Sequence, residues 1–209
     1  MGQVVRVMRY DRAGNEAAAV TALGLTGENL KWFRLDDGVM GGQSQTTHSN
    51  DSGGLHFTGF INTDGGGFCS IRARLPQCLE PGVTGFRLKF MGDGKTYKFT
   101  LSDGNPSTGG PFARSPSWQV DLPTSDGKEQ TEVLQVYDMH SSFGGRESSR
   151  PSASEIATSK LDITSVREIG LMLSLKLSDG SSNPKVTFGE GIFPFSLRVL
   201  SIEPVVEQK

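Results

Sequence analysis

The stretch Gly92-Asp93-Gly94-Lys95-Thr96 ends in the Gly-Lys-Thr triplet that closes a phosphate-cradling loop. Such a loop needs a further glycine five positions before the triplet's glycine, and a helix after it, so that backbone N–H groups can wrap the phosphates. Here the upstream position is Lys89, and Tyr97 to Leu101 alternates as a strand does. Nucleotide binding is not expected. The glycine triplet 65–67 precedes a strand instead of opening a helix, so it reads as a turn and not a dinucleotide fingerprint. His48, His56 and His140 are too widely spaced for two to share a helix face as zinc ligands. Asp36, Asp37, Asp51 and Asp64 lie in turn-like contexts that could suit calcium, but not at EF-hand spacing. Ser, His and Asp are present without a Gly-x-Ser-x-Gly elbow. No catalytic residue, metal or cofactor is expected.

One block resists a generic turn reading: Trp32, then Asp36-Asp37-Gly38-Val39-Met40-Gly41-Gly42-Gln43-Ser44. An apolar pair between glycines either displays Met40 at a loop tip, where a flexible thioether adapts to a partner, or plugs the open end of a β-sandwich. Both readings stay open at this level.

The elements that hold these residues follow from composition and period. The 209 residues carry 21 Lys plus Arg against 23 Asp plus Glu, a net charge of −2 and a pI near 5.9, with no run of five like charges. Nucleic acid and anionic membrane are therefore disfavoured as partners. Glycine supplies 27 residues and hydrophobic residues 35%, the profile of a turn-rich β protein. No apolar run approaches the roughly 18 residues of a membrane-spanning helix. The opening MGQVVRVMRY lacks the features of a secretory signal, so the Asn50-Asp51-Ser52 sequon is expected to stay idle. Cys69 is expected inside a sheet and Cys78 outside it, with a bridge between them disfavoured.

Residues 15–24 read as a short helix in an N-terminal extension, 1–29. From Leu30 the period becomes two, giving strands over 30–35, 54–61, 67–75, 86–91, 97–102, 117–122, 132–137, 167–176 and 194–202. Without helices to carry parallel crossovers, the expected fold is all-β: an antiparallel jelly-roll-like sandwich over 30–203, with a tail at 204–209. The runs 86–91 and 97–102 should form a hairpin about Gly92–Lys95. Residues 103–116 and 138–160 read as long polar loops.

The Asp37-x-Val39-Met40-Gly41-Gly42 block, Gly66-Gly67-Phe68-x-Ser70-x-Arg72, Gly92-Asp93-Gly94-Lys95-Thr96-Tyr97, Trp118-Gln119-Val120-Asp121-Leu122-Pro123 and Ile169-Gly170-Leu171-Met172 together resemble the complex I intermediate-associated 30 kDa protein family, from about Trp32 to Ile202. The resemblance implies a galactose-binding-like jelly roll that works as a non-enzymatic assembly or scaffold factor for a membrane electron-transfer complex. That complex is respiratory complex I in the best-known case, and photosynthetic in others. The implied partners are protein subunits of such a complex, and the implied place is inside an organelle, soluble or peripheral to the membrane, mitochondrial by resemblance, with plastid and cytoplasm as alternatives. The partner-binding residues it suggests are Asp37, Val39, Met40, Gly41 and Gly42, then Phe68, Ser70 and Arg72, with Asp93, Lys95, Phe143 and Arg146. Phe143 and Arg146 match a family segment only loosely. Strand parity puts Phe68, Ser70 and Arg72 on one face, where Arg72 either meets a partner or pairs with Asp37 or Asp93. The alternative function is a carbohydrate-binding module on the same fold, with Trp32, Tyr97 and Trp118 as candidate platforms that also suit core burial.

Overall fold

The computed structural model describes residues 30–104, 116–142 and 161–206. The expected helix at 15–24, the middles of both long loops, Phe143 and Arg146 lie outside the described residues. Eleven strands are present among the described residues: β1 Trp32–Arg34, β2 Gln45–Asp51, β3 Gly54–Asn62, β4 Phe68–Arg74, β5 Val83–Met91, β6 Thr96–Ser102, β7 Ser117–Pro123, β8 Glu129–Gln135, β9 His140–Ser142, β10 Glu168–Ser174 and β11 Ile192–Val206. One sheet runs β1-β4-β10-β6-β7-β9, the other β2-β3-β11-β5-β8. Every pairing within them is antiparallel. A single-turn helix, α1 (Lys185–Phe188), precedes β11. The expected antiparallel sandwich is the fold.

Alternation decides the core. Leu55, Phe57 and Ile61 of β3, Phe86, Leu88 and Phe90 of β5, Tyr97, Phe99 and Leu101 of β6, and Leu171 and Leu173 of β10 are buried between the layers. Aromatic edges lock the two sheets together: Phe86 and Phe99 have ring centroids 5.1 Å apart, and Phe57 meets Tyr97 at 6.2 Å. Trp32, Tyr97 and Trp118 are buried, as their alternation suggested.

The expected hairpin does not form. β5 pairs with β11 and β8 in one sheet, while β6 pairs with β10 and β7 in the other. The two runs face each other across the core, and residues 92–95 cross between layers. Period-two alternation tells which side chains are buried, not which strand lies alongside. What turns the chain is Asp93, which accepts from Tyr97 Oη at 2.9 Å and from the Ser196 backbone N–H at 3.0 Å, and pairs with Lys95 Nζ at 3.3 Å. Burial, together with the Asp93 carboxylate, pushes the Tyr97 phenol well above its ordinary range.

Three further differences have local causes. β2, Gln-Thr-Thr-His-Ser-Asn-Asp, carries no large apolar side chain because it is a sheet edge, and only Thr46 of it is buried. β9 falls in a stretch expected as loop and pairs with β7 as a three-residue edge. β11 continues to Val206, past the expected boundary at 203, with a register shift between Val199 and Ser201 that resets which side chains face inward. Cys69 is buried and Cys78 exposed, and both are free. Burial pushes the Cys69 thiol up to about 12.

Candidate partner-binding rim

The connections at 35–44, 63–67, 92–95, 124–128 and 175–191 gather at one end of the sandwich. Backbone bonds tie them to one another: Thr63 N to Gly191 O at 3.0 Å, Leu175 N to Gly67 O at 3.1 Å, and Gly127 N to Gly92 O at 3.0 Å.

At the centre of this end sits Asp37, fully buried. Its carboxylate accepts from Ser44 N at 3.0 Å, Ser44 Oγ at 2.6 Å, Gly67 N at 2.6 Å and Phe68 N at 3.3 Å. Asp36 does the same for the neighbouring edge, accepting from Thr46 N at 2.9 Å and from Thr46 Oγ1. Ser44 Oγ in turn accepts from Asn62 N at 3.0 Å. The two most specific blocks of the sequence, around Asp37 and around Gly66-Gly67-Phe68, are thus two halves of one knot. A buried carboxylate is tolerable only when hydrogen bonds replace its water, and here four donors do so.

The glycines are what let the backbone close on this carboxylate. A Cβ on Gly42 would stand 2.3 Å from Asp37 Cγ, and one on Gly66 would stand 2.3 Å from Asp37 Oδ2. Gly66→Ala is therefore expected to destabilise the protein by about 1–3 kcal/mol, because the anchored carboxylate cannot yield. A thermal melt that matches wild type would show that the knot is looser than drawn. From the knot a single 3₁₀ turn, Asp37–Met40, projects outward and ends at Gly41, whose φ of 89° is left-handed. Gly38 and Gly41 are exposed with open space around them.

The suggested site residues therefore divide. Asp37 and Gly42 are spent inside the knot and present the turn without touching a partner themselves. Gly41 is on the surface, and Val39 and Met40 belong to the same turn. Ser70 is buried and donates to Leu35 O at 2.6 Å. Phe68 and Arg72 do share the outer face of β4, both half-buried. Arg72 pairs with neither Asp37 nor Asp93. Its guanidinium meets Glu168 Oε1 at 3.2 Å, because β10 lies beside β4 and puts Glu168 on the same face. Asp93 and Lys95 are half-buried, with Lys95 Nζ 5.7 Å from the centre of the Phe193 ring.

Sequence reasoning did not single out Ser44, Asn62 or Gly66 as members of the knot, nor the exposed apolar side chains Leu175, Val186 and Ile192 on the same rim. Nor did it identify Lys98, buried on the outer face of β6 and donating to Gln119 Oε1 at 3.1 Å. Burial lowers this amine to about 8, while the Asp121 and Asp179 carboxylates oppose the shift. Among the described residues no cluster of three His, Cys, Asp or Glu side chains is placed to hold a metal ion, and no helix is long and apolar enough to cross a membrane.

Comparison with solved structures places the fold. The family 11 carbohydrate-binding module of the cellulosomal cellulase Lic26A-Cel5E of Clostridium thermocellum superposes with a TM-score of 0.55 at 13% identity, covering 100% of this chain and 98% of that one. A structure of the family 11 module from Clostridium thermocellum with a β-1,3-1,4-mixed-linked tetrasaccharide gives 0.52 at 13% identity, covering 100% and 99%. At that identity the likeness establishes the β-sandwich and nothing finer. No curated protein matches the sequence at a significant level. The sequence profile of complex I intermediate-associated protein 30 (CIA30) matches residues 24–199, a span that holds the whole Asp37 knot and ten of the strands. The chain belongs to the complex I intermediate-associated protein 30 family.

Proposed function

We propose that this protein is a non-enzymatic assembly factor that holds a subunit of a membrane electron-transfer complex, of the respiratory complex I type, through the rim of its sandwich. The observation that carries the reading is the knot: two adjacent carboxylates are committed to backbone and hydroxyl donors, so their role is to fix the turn Asp37–Met40 in place. Exposed Leu175, Val186 and Ile192, in the connection from β10 to the first residue of β11 at the same end, suit a protein surface, since exposed apolar side chains mark association sites. The family supports the complex I connection, and with it a mitochondrial, membrane-peripheral location.

A carbohydrate-binding role, as in the structural neighbours, would use exposed aromatic platforms. Trp32, Tyr97 and Trp118 are all buried here. Calorimetric titration with simple sugars is expected to show no binding tighter than millimolar, and a tighter constant would favour the sugar reading. Arg72→Ala is expected to weaken recovery of a bound subunit while moving the melting temperature little, because the Arg72–Glu168 pair, 23% and 21% exposed on the outer face of the sheet, stays within reach of water, where an ion pair is worth about 1 kcal/mol. A fall of many degrees would reassign Arg72 to fold stability.

A further inference from the structure

The outer face of the six-stranded sheet carries a strip of cations that no run in the sequence reveals. β1 sets Phe33 directly opposite Arg72, and β10 sets Glu168 directly opposite Arg74. Lys31 lies one residue beyond the Trp32–Ala73 pair, beside Arg74 on the same outer face. Lys31 and Arg74 are exposed, and among the described residues neither of them pairs with a carboxylate. The strip's one acid, Glu168, is engaged by Arg72. In a chain of net charge −2 this concentrates positive charge around one exposed aromatic ring.

We propose that this strip, Lys31, Phe33, Arg72 and Arg74, docks an extended acidic segment of a partner protein. The proposal rests on the protein-binding reading and names the chemistry of the partner. Side chains two apart on one strand lie roughly 6.6–6.8 Å apart on the same face. Arg72 and Arg74 have that spacing, so an extended segment with acids at alternate positions meets both guanidiniums in register. Glu168 holds Arg72 in place and leaves its remaining N–H donors pre-aimed, the arrangement that favours a planar carboxylate. A lipid surface fits less well. Phe33 is the one exposed large apolar side chain of the strip, whereas interfacial binding needs a broad apolar face beneath the cations.

The probe is a fluorescein-labelled peptide of alternating glutamate and serine, titrated into the full chain at low ionic strength and followed by anisotropy. Saturable binding is expected, weakened by salt, and weakened by at least about tenfold in K31E/R74E. Both residues are exposed, so the melting temperature should hold. If the double reversal disturbs the fold, K31A/R74A gives the same reading with a smaller effect. Absent binding, or binding indifferent to both double variants, overturns the proposal. So does co-sedimentation with vesicles of phosphatidylcholine and phosphatidylserine that the double variant abolishes while the peptide fails to bind. The strip and the wider reading fail separately. A subunit captured equally by wild type and K31E/R74E, and lost with V39S/M40S, would leave the rim in place and end the case for the strip.

Discussion

Replacing Asp37 with alanine is expected to lower the melting temperature by on the order of 10 °C or more, the largest effect of any single substitution at the rim. The substitution leaves the backbone N–H groups of Ser44, Gly67 and Phe68 without an acceptor in a fully buried place. Each orphaned donor costs about 1–3 kcal/mol, and in a domain of this size each kcal/mol moves the midpoint by about 2–4 °C. Ser44 Oγ suffers least, since Asn62 still bonds to it. Asp37→Asn should recover little. One carboxylate oxygen serves Ser44 N and the other serves Ser44 Oγ, Gly67 N and Phe68 N, so an amide NH₂ in either position confronts donors with a donor. Scanning calorimetry of the two variants checks both expectations, and a midpoint within a few degrees of wild type would mean that the glycine loops hold themselves together.

The second large effect is on pH. Burial places the Lys98 amine near 8 in the folded protein, against an ordinary value of 10.5. Below pH 8 the amine is protonated folded or unfolded, and the folded state bears the full cost of a buried charge. Between pH 8 and 10.5 the folded protein gives up the proton while the unfolded chain keeps it, so stability rises with pH, by up to about 1.4 kcal/mol per pH unit. Cys69 works in the opposite direction above its ordinary 9.0, and Tyr97 above 10.0, because burial keeps both protonated only in the folded state. The rise is therefore cleanest between pH 8 and 9. Denaturant unfolding across that interval should show it in wild type and not in Lys98→Met, which should also be the more stable protein at neutral pH. A flat wild-type profile would mean that water reaches the Lys98 amine.

Alternation made most of the sandwich legible. Phe86, Leu88 and Phe90, and likewise Tyr97, Phe99 and Leu101, announce buried faces on their own. The partner of each strand was not legible, because strands facing across a core and strands pairing side by side bury the same residues. The six donors around Asp36 and Asp37 come partly from backbone N–H groups as many as 31 residues away, and backbone carries no sequence signature. Glycine is its only trace: Gly42 and Gly66 stood out as motif residues, while the reason for them, a carboxylate where a Cβ would go, needed coordinates. Arg72 and Glu168 are 96 residues apart, so the rival pairings with Asp37 or Asp93 were the nearer guesses and both were wrong. The cationic strip is invisible for the same reason, since positions 31–33 and 72–74 become neighbours only through the β1–β4 pairing.

Affinity capture from native membranes, with mass spectrometry of what is retained, bears most directly on the proposed role. Wild-type protein is expected to retain subunits of a membrane electron-transfer complex, and V39S/M40S, altered in the turn that the Asp37 knot presents, is expected to lose them. Recovery of soluble glycoproteins alone, or of the same subunits with and without the altered turn, would contradict it.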